Sequence, residues 1–164
     1  MTPSQTLRHF LDLCPLVAII RGVTPDDAEA IGDAIFAAGI RIIEVPLNST
    51  DPLASILKLT ARFGEQALIG AGTVLEVGQV AAVKAVGGRL IVAPDANSGV
   101  IAATAAAGLV SCPGFFTPTE AFAALRAGAH GLKLFPADGA SPAMLKAQRA
   151  VLPSDVPVLP VGGE

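Results

Sequence analysis

Two short strings in this 164-residue chain set an acid and an amine on otherwise apolar strands: Ile42-Ile43-Glu44-Val45-Pro46 and Gly131-Leu132-Lys133-Leu134-Phe135-Pro136. Strand alternation puts Ile42, Glu44 and Pro46 on one face, and Ile43 and Val45 on the other. In the second string Leu132 and Leu134 turn outward to covering helices, which turns Gly131, Lys133 and Phe135 inward. Buried charges are costly and usually paired, so one reading of Glu44 and Lys133 is an ion pair that fixes packing. The other is a catalytic pair. A lysine desolvated by apolar walls holds a fraction of neutral amine that can attack a carbonyl carbon. A nearby carboxylate can then move the protons that imine formation and carbon-acid chemistry require.

Other residues stand where they could hold a ligand. Arg21 ends the string Ala18-Ile19-Ile20-Arg21-Gly22. A guanidinium at a strand end can clamp a carboxylate through two parallel hydrogen bonds, or it can make a surface salt bridge. Thr73 closes Gly70-Ala71-Gly72-Thr73-Val74, whose glycines are expected to let backbone approach a ligand closely. Leu75 stands where a third glycine of G-x-G-x-x-G would fall, so a dinucleotide site has little support. His9 and His130 are the only histidines and lie far apart, which disfavours a clustered zinc site. No G-x-S-x-G elbow is present, and Ser111-Cys112-Pro113 has no neighbouring base. Cys14 and Cys112 fit no C-x-x-C pattern and read as two buried thiols.

The elements that must carry these residues follow from a recurring phrase: an Ala-rich stretch, a glycine, a short β-branched run, then a proline. It ends at Pro46, Pro94, Pro113 and Pro136, with Gly39, Gly87 or Gly88, Gly108 and Gly128 at the joints. Glycine suits the left-handed residue that closes a helix, and proline suits the point where a strand leaves its ladder. Residues 16–20, 67–71 and 156–161 supply further strands. Helices are predicted at about 25–38, 51–63, 76–86, 97–107, 117–127 and 141–151, several opened by Thr24-Pro25, Thr50 ahead of Asp51-Pro52, and Ser141-Pro142. Near-continuous apolar strands alternating with helices require a parallel sheet covered by helices. The expected fold is therefore α/β, a (β/α)8 TIM barrel in one domain over residues 1–164, cut after its seventh strand and lacking strand eight and the last helices. Such a chain is expected to leave two sheet edges open and to bind a sugar phosphate poorly.

Composition narrows the partners. Eleven Lys and Arg against 14 Asp and Glu give a formal charge of −3, and 15% of residues are charged. There is no basic surplus for nucleic acid or an anionic membrane surface. Residues 96–119 carry no charge, but Asn97, Gly99, Gly108, Pro113 and Pro118 divide them into pieces too short for the roughly 20 residues of a membrane helix. Asp12 and Pro15 interrupt the N-terminal apolar stretch, so a signal peptide is not expected and the cytoplasm is the default location.

With these residues assembled, the strings AIIRGVTPDDA, IIEVPLNS, LIGAGTVL, LIVAPDAN, CPGFFTPTEA, GLKLFPA and LPVGG resemble the 2-keto-3-deoxy-6-phospho-sugar-acid aldolases, most closely their phosphogalactonate branch. The resemblance covers residues 15 to 163. It implies that Lys133 forms a Schiff base and that Glu44 is the general acid/base. It further implies that Arg21 and Thr73 contact the pyruvyl carboxylate end, that Pro94, Pro113 and Phe135 wall the pocket, and that Gly162 and Gly163 form part of a phosphate site. Two departures separate the branches. Asn48 in Pro46-Leu47-Asn48-Ser49 replaces the Arg that phosphogluconate aldolases usually carry, and Val161 replaces the Thr before the Gly pair. The implied reaction is cleavage of 2-dehydro-3-deoxy-6-phosphogalactonate to pyruvate and D-glyceraldehyde 3-phosphate by a homotrimer, with no metal or organic cofactor. A phosphogluconate aldolase, a phosphate-binding barrel isomerase or epimerase with Lys133 as an electrostatic partner only, and a noncatalytic binding module are the competing readings.

Overall fold

Each predicted helix-to-strand joint closes on a glycine of positive φ: Gly39, Gly87, Gly108 and Gly128, at 99°, 85°, 74° and 107°. That region is open to glycine and costly to most other residues, which is why the same phrase recurs. The computed structural model describes residues 1–162; Gly163, from the expected phosphate site, lies outside the described residues.

The strands are β1 (Val17–Ile19), β2 (Ile42–Pro46), β3 (Leu68–Gly72), β4 (Leu90–Val92), β5 (Val110–Cys112), β6 (Gly114–Phe115), β7 (Leu132–Leu134) and β8 (Val158–Pro160). The helices are α1 (Pro3–Leu13), α2 (Ala28–Ala37), α3 (Pro52–Phe63), α4 (Val77–Ala85), α5 (Ser98–Ala106), α6 (Pro118–Ala127) and α7 (Pro142–Arg149). All pairings are parallel and run in chain order, β1 to β5 in one sheet and β6 to β8 in a second, so β1 and β8 are the outer strands.

The strand expected to end at Pro113 is β5, and a further short strand that the sequence reading lacks, β6, follows directly after that proline. Proline has no N–H to give to a ladder. The carbonyls carry the connection instead: Ser111 O accepts from His130 N and Gly131 N at 2.9 and 3.1 Å, and Pro113 O accepts from Lys133 N at 2.8 Å. The wall therefore continues from the first sheet into the second with a change of direction at Pro113.

The inner and outer faces are those that alternation predicts. Ile42 joins Leu68, Leu90, Val92, Val110 and Cys112 in an inner cluster, while Ile43 and Val45 pack outward with Ile56 and Leu59 of α3. Leu132 and Leu134 pack outward with Ala121 and Ala124 of α6.

Helix α1 is absent from the sequence reading. Its signal is a capping box: the Thr2 hydroxyl accepts from Gln5 N at 3.3 Å, and Thr2 N donates to the Gln5 side chain at 2.8 Å, with Pro3 in the first turn. Leu7 and Phe10, three apart on one face, are 1% and 2% exposed and fill the floor of the inner cluster. Burying each contributes about 1.5–3 kcal/mol. Helix α2 also starts later than expected, because Thr24 Oγ1 donates to Asp27 Oδ2 at 2.8 Å and holds residues 24–27 as a turn. Ser141 caps α7 as predicted, accepting from Met144 N at 3.1 Å. Residues 96–119 divide into α5, β5, β6 and the start of α6, and among the described residues no helix is long and apolar enough to cross a membrane.

Candidate active site

Glu44 sits mid-strand in β2 and Lys133 mid-strand in β7, 2% and 8% exposed. Both line an inner cavity of about 160 Å³ whose other walls include Leu7, Ile42, Leu90, Val92 and Leu159. An acid and an amine thus face one apolar chamber, as alternation requires.

Lys133 also lines a second pocket of about 470 Å³ at the carboxyl ends of the strands, together with Ile19, Arg21, Thr73, Pro94, Phe135, Val161 and Gly162. Of the predicted residues, the structure gathers Arg21, Thr73, Pro94, Lys133, Phe135, Val161 and Gly162 in this mouth and sets Glu44 below it. Lys133, with Ile19 and Val161, lines both spaces, and it is the one ionisable side chain of the three. Its Nζ lies 4.8 Å from the centroid of the Phe135 ring, within reach of a cation–π attraction when protonated.

Thr73 follows β3 with φ of 55°, uncommon for a β-branched residue. The chain on either side is pinned: Leu47 N donates to Gly72 O at 2.9 Å, and Val74 N donates to Val92 O at 3.2 Å. Neighbouring strands therefore hold Thr73 in a conformation it would not choose alone. Arg21 leaves β1 and donates from Nη1 to Asn48 Oδ1 at 2.8 Å, while Gly22 N donates to Ser49 Oγ at 3.0 Å.

A family model for KDPG and KHG aldolase matches residues 7–164. The chain belongs to the KDPG and KHG aldolase family. It is 49% identical over 149 residues to the 2-dehydro-3-deoxy-6-phosphogalactonate aldolase of Escherichia coli K12, covering 91% of this chain and 73% of that one. A solved structure of native KDPGal superposes with a TM-score of 0.89 at 49% identity, covering 92% of this chain and 73% of the other. The KDPG aldolase of Legionella pneumophila, solved with pyruvate captured as a covalent carbinolamine intermediate, superposes at 0.87 and 30% identity, covering 100% and 77%.

In this KDPG and KHG family aldolase, three readings of the sequence change. The glycines before Thr73 do not open space for a ligand. A Cβ at Gly70 would overlap the backbone of Leu90, and one at Gly72 would overlap the Glu44 carboxylate. Pro113 is buried and lines neither pocket; its carbonyl instead holds the backbone of Lys133 at 2.8 Å. Of the two cysteines only Cys112 is buried, and burial pushes its thiol up to about 12; Cys14, at the end of α1, is partly exposed.

Ile19 lines the mouth of the aldolase and was not among the predicted site residues. Its signal is local, since it stands two residues before Arg21 and so shares its face. Leu7, on the floor of the chamber, carries no comparable signal because α1 reaches it only through the tertiary fold. His130 lines neither pocket; its Nδ1 accepts from Ser111 N at 3.0 Å, and burial lowers its pKa.

Proposed function

We propose that this aldolase is a class I, Schiff-base lyase that cleaves 2-dehydro-3-deoxy-6-phosphogalactonate to pyruvate and D-glyceraldehyde 3-phosphate, with Lys133 as nucleophile and Glu44 as general acid/base. The observation that carries the reading is the position of Lys133, shared between the buried chamber of Glu44 and the mouth formed by Arg21, Thr73, Phe135 and Gly162. The amine is thus placed where it can meet a carbonyl carbon in the mouth while a carboxylate stands in the chamber below to exchange protons.

The neutral Lys133 amine adds to C2 of the keto acid, giving a carbinolamine. Glu44 donates the proton that lets water leave, and a protonated imine results. Removal of the C4 hydroxyl proton breaks the C3–C4 bond, and the electron pair passes into the imine to form an enamine as glyceraldehyde 3-phosphate departs. Protonation at C3 and hydrolysis of the imine then release pyruvate and regenerate the amine. Arg21 and Thr73 hold the carboxylate, Pro94 and Phe135 wall the pyruvyl group, and Gly162 and Gly163 serve as part of the phosphate site. The covalent pyruvate adduct of the Legionella pneumophila relative supports the chemistry. The name of the Escherichia coli relative, with Val161 lining the mouth where the phosphogluconate branch has Thr, supports the galacto substrate. The same reading takes the enzyme as a cytoplasmic homotrimer.

The test is borohydride reduction in the presence of pyruvate, followed by intact-mass analysis and peptide mapping. One reduced adduct on Lys133, lost in Lys133→Met, is expected. An unmodified wild-type protein overturns the imine mechanism, and a higher kcat/KM for the gluconate epimer overturns the substrate assignment.

A further inference from the structure

We propose that Asn48 is a positioning residue that aims Arg21 at the substrate carboxylate while leaving its charge intact. The inference rests on the reading of Arg21 as the carboxylate anchor. Arg21 lines the mouth beside Lys133 and donates from Nη1 to Asn48 Oδ1 at 2.8 Å. Arginine has donors only, so the Asn48 amide must present its oxygen to the guanidinium. A neutral acceptor fixes one edge of the fork without cancelling its charge, which an aspartate at 48 would do.

The loop that carries Asn48 is itself anchored on both sides. Leu47 N donates to Gly72 O at 2.9 Å, Ser49 N to Pro46 O at 2.9 Å, and Gly22 N to Ser49 Oγ at 3.0 Å. Asn48 is exposed and contributes no core packing, so its replacement should leave the fold intact while loosening a side chain that faces substrate.

The experiment is steady-state kinetics on Asn48→Ala, Asn48→Asp, Arg21→Ala and the Asn48→Ala/Arg21→Ala double variant. Asn48→Ala should raise KM for the sugar acid about 3- to 10-fold with kcat within about twofold, and Asn48→Asp should raise it further. The double variant should be no worse than Arg21→Ala, because the two residues act as a unit. A raised KM in Arg21→Ala with Asn48→Ala and Asn48→Asp unchanged overturns the role of Asn48 and leaves that of Arg21 standing; so does a double variant whose effects multiply. An unchanged KM in Arg21→Ala removes the carboxylate anchor, and the Asn48 proposal with it.

Discussion

Gly72 at the end of β3 leaves the space that the Glu44 carboxylate of β2 occupies. Glu44 is paired in register with Gly70, and Pro46 with Gly72, so the acid reaches along its neighbour strand rather than straight across it. A Cβ at Gly72 would overlap all three atoms of the carboxyl group. The glycine therefore shapes the seat of the acid. Gly72→Ala should displace Glu44 and mimic Glu44→Gln, each lowering kcat about 10²- to 10⁴-fold if proton transfer is lost. Gly78→Ala, where no atom lies within 4 Å of the added Cβ, should leave kcat unchanged and stabilise α4 by about 0.5–1 kcal/mol. Turnover of Gly72→Ala close to wild type would show that the carboxylate does not act from this seat.

Thr73 combines a strained backbone with a place in the mouth, so its two contributions separate by substitution. Thr73→Gly should relieve the left-handed strain and hold stability level or raise it by up to about 1 kcal/mol, while weakening substrate binding. Thr73→Ser should keep the hydroxyl and with it most of the affinity. Urea melts alongside KM measurements give both readouts; a Thr73→Gly variant destabilised by several kcal/mol would contradict the strain.

Acid should weaken the fold in two windows. Desolvation lowers His130 below its ordinary 6.5, so in the folded state it resists the proton that the unfolded chain accepts. Stability therefore falls as pH drops below about 6.5, until the folded group also protonates. Glu120 accepts from Phe116 N at 2.9 Å, Thr117 N at 2.8 Å and Thr117 Oγ1 at 2.9 Å, which holds its carboxyl below the ordinary 4.5. Its contribution is complete above about 4.5 and is lost as pH falls through the lower folded value. In urea midpoints measured against pH, His130→Gln should flatten the first window and Glu120→Gln the second. A profile unchanged by either substitution would refute the corresponding assignment.

The thiols should differ in reactivity. Cys112 is fully buried with its pKa near 12, so at pH 8 only about one thiol in 10⁴ is ionised and reagent cannot reach it. Cys14 is partly exposed. Iodoacetamide should label one cysteine per chain under native conditions and two after unfolding, with peptide mapping assigning the first to Cys14. Fast native labelling of Cys112 would mean that the chamber beside Lys133 opens to solvent.

Much of the site was legible because it rests on local rules. Period-two alternation turns Glu44 and Lys133 inward whatever lies opposite them, and it sets Ile19 beside Arg21. The glycine and proline phrases mark the strand ends where Arg21, Thr73 and Phe135 stand, since φ preferences and missing N–H groups act within a few residues. Family membership was readable for the same reason, as an ordered set of strings at those strand ends.

The rest depended on contacts between residues far apart in the chain. Gly70 and Gly72 look alike in sequence, yet one yields to the backbone of Leu90 and the other to the carboxylate of Glu44. Pro113 reads as a pocket wall, but the pairing of β6 with β7 makes it the hinge whose carbonyl holds Lys133. Helix α1 reaches the inner cluster only when the strands have curved around it. Sequence determined which side chains face inward, because that is a property of a single strand; the tertiary fold decided which space each one fills, because volume is set by every neighbour at once.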